Sequence, residues 1–446
     1  MEWWAFLGIF IGSLIGLLLM RVPVAFAMLG VGIVAAVLTF GGIENGLGQV
    51  ARSANTSINT FVLSPVPLFI LMGEVLLRSG VIRESLATLN RALGRLPGRL
   101  AMLATGGGTL FGLLSGSTLA STAVLGSSLL PEMQRSGYSQ RLGMGSILGA
   151  GGLTMIIPPS SLVVVWGAIA QVSVGPLLIA GIIPGFLMAL GYVVVILIWA
   201  TFFRGAPKDD EASASSAFGG GAERGSIGRD LLVWVAPLGL VVFAVLGLIY
   251  FGIATPTESA ATGAVGALLL VAAYRRLTRD VLRVAIGRSV VTNTMIFFIV
   301  VGATLYSQVT SFSGATRGFV NAIIETDVGG IGILIMLMLV VLVLGAFMDQ
   351  ISIMLLIIPL FMPVAAAQGW DPIWFSIIML INLQIAGTTP PFGLNLFVMK
   401  GVAPPETTMR DLYWAAAPFI GSDVAMIALL IAAPFLVTIL PQLMMS

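Results

Sequence analysis

Two stretches of this sequence place backbone oxygens where a helix cannot use them. They are Gly151-Gly152-Leu153-Thr154-Met155-Ile156-Ile157-Pro158-Pro159-Ser160 and Ala386-Gly387-Thr388-Thr389-Pro390-Pro391-Phe392-Gly393-Leu394-Asn395, and each interrupts an apolar run long enough to cross a membrane. Proline lacks an amide donor and clashes with the preceding turn, so a Pro-Pro pair leaves carbonyls that no helix ladder satisfies. In a bilayer such groups persist only where protein, water or an ion takes them. Carbonyls freed around one turn at Thr154, Ile157 and Pro159, and at Ala386, Thr389 and Pro391, can converge on a hard cation such as Na+. A kink needed for packing alone is the plainer reading, but it accounts for one proline better than for Pro-Pro twice.

Two further islands of small and polar residues break apolar stretches: Gly112-Leu113-Leu114-Ser115-Gly116-Ser117-Thr118, and Gly345-Ala346-Phe347-Met348-Asp349-Gln350. Two half-helices meeting at such a tip would aim free carbonyls and free amides into one small volume, suited to a cation and an anionic group respectively. Alternatively, Gly112 and Gly116 form a small-residue packing face, with the hydroxyls bonded back to their own helix. Asp349 is an ionisable group inside an apolar stretch, which is costly and points to function. It could bind a cation, carry a proton, or cap the second half-helix. Glu74, Arg78, Glu258 and Asp423 also lie in or near apolar runs. Arg78 is expected to snorkel to the membrane surface, and Glu258, following Thr255-Pro256-Thr257, reads as part of a capped helix start.

These groups must be positioned by membrane-spanning helices. Hydrophobic residues make up 58% of the chain and charged residues only 9%, where a soluble domain carries about 25% charged residues. The expected class is therefore an all-α polytopic membrane protein. Cysteine and histidine are absent, which removes disulfides, thiolate and imidazole metal sites, and Cys-His or Ser-His catalysis. No convergent carboxylate pair stands in for them, so an intramembrane enzyme acting on lipids or peptides lacks evident machinery. The apolar run from Trp3 to Met20 has neither a basic leader nor a small-residue cleavage site, and is read as a retained span. The basic stretch from Arg83 to Arg99 fits an interfacial amphipathic arm better than a nucleic-acid site. Trp3, Trp4, Trp370, Trp374 and Trp414 fit an aromatic belt at the bilayer surface.

Apolar runs long enough to span are expected at 3–20, 22–40, 58–77, 143–171, 177–203, 230–252, 257–274, 289–311, 373–399 and 414–440. The stretches 100–131 and 331–364 are too short for two crossings at about 20 residues each, and read as re-entrant helical hairpins carrying the polar islands at their tips. Residues 204–229, rich in Gly, Ala, Ser and charge, read as a flexible linker. It divides the chain into a first repeat, 1–203, and a second, 230–446. Pro23, Gly112, Pro131 and Pro158 recur as Pro256, Gly345, Pro363 and Pro390, at offsets of 233, 233, 232 and 232.

Each half then holds five spans and one hairpin, and an odd number of crossings inverts the second copy, an arrangement common in secondary transporters. Charge placement gives an independent orientation, because cytoplasmic loops collect Lys and Arg. Threading the spans places 19 of the 21 basic residues on one face, leaving Arg52 and Arg317 on the other. Both termini are thus expected outside and the linker inside, with the first hairpin entering from the cytoplasm and the second from outside.

Several ordered motifs resemble the large membrane subunit of TRAP (tripartite ATP-independent periplasmic) transporters, the DctM-like family. They are Pro67-Leu68-Phe69-Ile70-Leu71-Met72-Gly73-Glu74, Leu113-Leu114-Ser115-Gly116-Ser117-Thr118, Leu129-Leu130-Pro131-Glu132-Met133, Ile156-Ile157-Pro158-Pro159-Ser160, Gly181-Ile182-Ile183-Pro184-Gly185, Gly252-Ile253-Ala254-Thr255-Pro256-Thr257-Glu258 and Thr389-Pro390-Pro391-Phe392-Gly393-Leu394-Asn395-Leu396-Phe397. The resemblance covers nearly the whole chain. It implies an elevator-type, sodium-driven importer of organic acids in the inner membrane, working with a small four-helix membrane subunit and a periplasmic substrate-binding protein. It also implies two Na+ sites between hairpin tips and broken helices: one at Ser115, Thr118, Thr154, Ile157 and Pro159, the other at Gly345, Ala386, Thr389 and Phe392, mostly through backbone carbonyls. Thr154 and Ala386 stand where the family often has glycine, and a Cβ there shifts the carbonyl geometry. The substrate carboxylate is expected near Ser117 and Asn395, with Asp349 beside the ions. The rival expectation is a stand-alone inverted-repeat anion transporter, proton-coupled and without partner proteins.

Overall fold

The computed structural model describes residues 2–20, 22–94, 96–115, 117–202, 226–326, 328–391 and 393–445, and the linker expected at 204–229 lies mostly outside them. All regular structure among these residues is helical. The first half contains α1 (Trp3–Leu19), α2 (Val24–Thr39), α3 (Ile43–Ile58), α4 (Pro65–Arg78), α5 (Val81–Ala92), α6 (Arg99–Ser115), α7 (Thr118–Arg135), α8 (Gln140–Ile156), α9 (Ser161–Ala170), α10 (Val174–Ala180) and α11 (Ile182–Phe202). The second contains α12 (Ile227–Tyr250), α13 (Pro256–Ala273), α14 (Arg279–Phe312), α15 (Ala315–Ile324), α16 (Gly329–Leu344), α17 (Gln350–Ala367), α18 (Pro372–Thr388), α19 (Leu394–Val402), α20 (Met409–Ala432) and α21 (Phe435–Met445).

Among the described residues seven helical segments are long and apolar enough to cross a membrane, or eight when α8 and α9, bent by 46° at the first Pro-Pro pair, count as one. Of the hairpin helices, α17 alone meets that length and apolarity, whereas α16 at 16 residues is shorter. Three features depart from the sequence reading. The run 414–440 is two helices, because the chain breaks at Ala433 and Pro434 between α20 and α21. The run 289–311 is the C-terminal part of a longer helix, α14, whose 34 residues extend about 50 Å at ~1.5 Å per residue. Finally, the short helices α3 and α15 were not expected from the sequence; their polar residues interrupt the apolar pattern that marks a span.

Local sequence sets where helices begin. Thr255 accepts from the Glu258 amide while the Glu258 carboxylate accepts from the Thr255 amide and hydroxyl, a reciprocal cap that opens α13. Asp371 caps α18 through the amides of Ile373 and Trp374. Glu258 therefore has the capping role its sequence context suggested.

The two helices that end in Pro-Pro are enclosed along almost their whole length. Every residue of α8 from Leu142 to Ile156 is buried, and so is every residue of α18 from Trp374 to Thr388. Helix α8 packs against α6, α7, α11, α18 and α20; α18 packs against α8, α16, α17 and α20. Glycines make the approach to α8 possible: a Cβ at Gly145 would lie 2.3 Å from the Ala415 carbonyl oxygen, and one at Gly149 would lie 2.6 Å from the Phe419 ring. Outside this core, α2, α3 and α4 pack on the long α14, α13 packs on α4 and α12, and α1 packs on α2 and α15. Their outward faces carry exposed Phe26, Val34, Phe243, Leu269 and Phe298, as expected for helices bathed in lipid.

Candidate functional site

Each hairpin turns at a capped second helix. Ser117 accepts from the Ala120 amide at 3.2 Å to start α7, and Asp349 accepts from the amides of Ile351 and Ser352, at 3.1 and 3.3 Å, and from the Ser352 hydroxyl to start α17. These two caps stand 232 residues apart, in register with the sequence repeat. Of the roles open to Asp349, capping is the one its contacts display, and it leaves the carboxylate at the wall of a cavity.

The tips are joined to each other and to a broken helix by side-chain amides. The Thr118 hydroxyl donates to Gln350 Oε1 at 2.8 Å, and Gln350 Nε2 donates to Gln384 Oε1 at 3.3 Å, within α18. Gln350 and Gln384 were not singled out by the sequence reading. The signal for Gln384 was present: a polar amide in the middle of an apolar run, which burial obliges to find partners.

The first half-helix of each hairpin presses on a broken helix at equivalent points. A Cβ at Gly112 would come within 1.8 Å of Thr154 Cγ2, and one at Gly345 within 2.5 Å of the Ala386 Cβ and 2.8 Å of its carbonyl oxygen. Thr154 and Ala386 are related by the 232-residue offset. The hydroxyls at the breaks turn inward on their own helices: Thr154 donates to the Gly151 carbonyl at 2.7 Å and Thr389 to the Ile385 carbonyl at 2.6 Å. Ile157 ends α8 in an extended conformation, and the Pro158-Pro159 and Pro390-Pro391 peptides are both cis. Beyond the breaks, Ser160 caps α9, and Asn395 sits in the first turn of α19. Asn395 is 1% exposed, and neither its amide nitrogen nor its oxygen has a hydrogen-bond partner among the described residues.

Both tips and both post-break helices open onto one cavity of about 960 Å³. Its inner wall carries Ser117, Thr118, Asp349, Gln350 and Asn395; its outer wall is made by α2, α4 and α14, including Glu74, Arg78 and Arg288. All three residues expected to meet substrate, Ser117, Asn395 and Asp349, thus line the same space. Thr118 lines it too, while Thr154 is buried behind it at 3% exposure. Phe392 lies outside the described residues, as does the side chain of Ser115. Arg78 pairs with Glu74 at 3.1 Å and faces the cavity. Asp423, on α20, is buried behind the site and accepts from the Tyr192 hydroxyl at 2.6 Å.

The family described as "Tripartite ATP-independent periplasmic transporter, DctM component" matches residues 11–436. The chain belongs to this family. Among DctM relatives, the ectoine TRAP transporter large permease protein TeaC of Halomonas elongata is 31% identical, with 96% of each chain covered. The C4-dicarboxylate TRAP transporter large permease protein DctM of Vibrio cholerae is 30% identical, covering 97% of this chain and 96% of that one. The isethionate TRAP transporter permease protein DctMQ of Oleidesulfovibrio alaskensis is 31% identical over 96% of this chain, which spans only 64% of that longer protein. In fold the DctM chain is similar to the YdaH transporter of Alcanivorax borkumensis, with a TM-score of 0.61 at 14% identity over 88% of this chain and 90% of the other. MtrF of Neisseria gonorrhoeae gives 0.63 at 14% identity, covering 87% and 84%. A TRAP large permease with several apolar spans is a multi-pass inner-membrane transport protein and not an enzyme.

Proposed function

We propose that this DctM chain is the transport subunit of a sodium-coupled importer of an organic acid, and that the two Pro-Pro breaks with their hairpin tips form its ion sites. One observation carries the reading. Both tips and both post-break helices converge on a single cavity, where the tip residues Thr118 and Gln350 touch each other. Two hairpins that meet tip to tip end inside the membrane, which is the re-entrant arrangement, even though α17 alone is long enough to cross. Residues 1–203 and 230–446 are the two inverted repeats, with 204–229 as the cytoplasmic linker and both termini outside.

In this reading one Na+ is held by Ser115, Thr118, Thr154, Ile157 and Pro159, and the other by Gly345, Ala386, Thr389 and Phe392. Neutral oxygens suit a hard monovalent cation, and helix-end carbonyls concentrate negative potential at each break. The substrate's acid group sits against Ser117 and Asn395, whose unpartnered amide supplies a donor. Bound sodium offsets the repulsion that Asp349 would exert on that group, so each ligand raises the affinity for the other. The inner core slides as a unit against α1 to α4 and α12 to α15.

The relatives' names support the substrate class: isethionate, ectoine and C4-dicarboxylates each carry an acid group. The longer DctMQ relative is consistent with a small membrane subunit as partner, and the family description with a periplasmic binding protein. Reconstitution tests the partnership: uptake into proteoliposomes should require the chain, the small subunit and the binding protein together. Full uptake by the chain alone would instead establish a stand-alone transporter.

A further inference from the structure

The outer wall of the cavity carries a charge that the scheme above leaves unused. Helix α14 faces the cavity with Arg288, Thr292, Met295, Ile296 and Ile299. Their spacing of four, three, one and three residues is one face of an α-helix, so Arg288 belongs to the lining by helical register as well as by position. The other charges in the lining are engaged or offset. Arg78 is paired with Glu74 one turn before it, and Asp349 on the opposite wall caps α17. Arg288 is exposed and makes neither a hydrogen bond nor an ion pair among the described residues. Asn395, on the facing wall, is buried with both amide atoms unpartnered.

We propose that Arg288 is the anion-recognising residue of the α14 wall, taking the substrate's acid group opposite Ser117 and Asn395. The proposal rests on the transport reading above. A guanidinium is planar, permanently charged and presents a fork of donors that matches a carboxylate or sulfonate. It also sets the sign of the cavity. With Glu74 and Arg78 cancelling each other, Arg288 is the group that offsets Asp349, and without it the lining repels any anion that enters. Arg288 lies about 13 Å along α14 from its first residue at ~1.5 Å per residue, on the end that the charge pattern places toward the cytoplasm. From there it acts on the acid group when the cavity is open on that side, and so determines specificity without belonging to the sodium sites. The competing role for a basic residue at this depth is anchoring to lipid headgroups.

The absence of cysteine from the natural chain makes the test direct. Arg288→Cys is purified and reconstituted with the small subunit and the binding protein, then treated after reconstitution with thiol reagents adding a trimethylammonium, a neutral methyl or a sulfonate group. Uptake is read with radiolabelled succinate, 2-hydroxyethanesulfonate, gluconate and acetate, using those that the unmodified wild type accumulates. KM is expected to rise from the trimethylammonium to the methyl to the sulfonate adduct, with Arg288→Gln raising KM about ten- to hundredfold and Arg288→Lys, which keeps the charge but loses the fork, falling between Arg288→Gln and wild type. A lipid anchor would leave KM equal across all three adducts, and that equality overturns the proposal. Failure of the wild type to accumulate any of the four anions counts against the transport reading and takes this inference with it.

Discussion

Thr118 and Gln350 stand 232 residues apart, the interval that separates Pro158 from Pro390, and the Thr118 hydroxyl donates to Gln350 Oε1 at 2.8 Å. Each is the first residue of the second helix in its hairpin. Equivalent positions of two copies touch only where a two-fold axis relating the copies would run. In the inverted repeat proposed above, this contact marks where such an axis would run, and it lies at the cavity.

Removing either end of this contact leaves the other polar group without its partner. Thr118→Val and Gln350→Leu should each cost about 0.5–1.5 kcal/mol, and the double variant should cost less than their sum. Denaturant unfolding of the purified chain in detergent measures this. Strict additivity would mean that the two side chains act independently.

The glycine contacts give an asymmetric pair of rescues. Gly112→Ala drives a methyl into the Thr154 side chain, whereas Gly345→Ala also meets the Ala386 backbone oxygen. Each should destabilise by about 1–3 kcal/mol and depress uptake. Thr154→Gly should restore Gly112→Ala, while Ala386→Gly should leave Gly345→Ala impaired, because the carbonyl stays in place. Equal rescue at both sites would contradict the contact geometry.

Asp349 separates capping from coupling. Asparagine caps nearly as well as aspartate, whereas alanine costs about 0.5–2 kcal/mol at such a position. Asp349→Asn is therefore expected to fold with near-native stability but to need more Na+ for half-maximal uptake. An unchanged Na+ dependence would reduce Asp349 to a cap.

Much of this was legible in the sequence because membrane helices leave strong traces. Apolar length, paired prolines and small-residue tips located the hairpins, the breaks and three residues, Ser117, Asp349 and Asn395, that share one cavity. Three kinds of feature were not. Helices α3 and α15 lack the apolar run that marks a span. The amides of Gln350 and Gln384 look like isolated polar residues until the fold brings them within hydrogen-bond distance. Arg288 lies next to a run of basic residues toward the start of α14, and only the length of that helix carries it to the cavity.

Orientation is testable with the same cysteine-free background. Glu2→Cys should react with a membrane-impermeant thiol reagent in intact cells stripped of the outer membrane, and Ser226→Cys should react only after the inner membrane is opened. The reverse pattern would invert the topology and the direction assigned to each hairpin.

The most direct test of the account is the driving force. Proteoliposomes holding the complete transporter are given an inward Na+ gradient, or an inward proton gradient in sodium-free buffer, and labelled organic acid is counted inside. Uptake should rise with the Na+ gradient, carry 22Na+ with it, and fall to background without sodium. Equal accumulation on the proton gradient alone would contradict the assignment of the two Pro-Pro breaks as sodium sites.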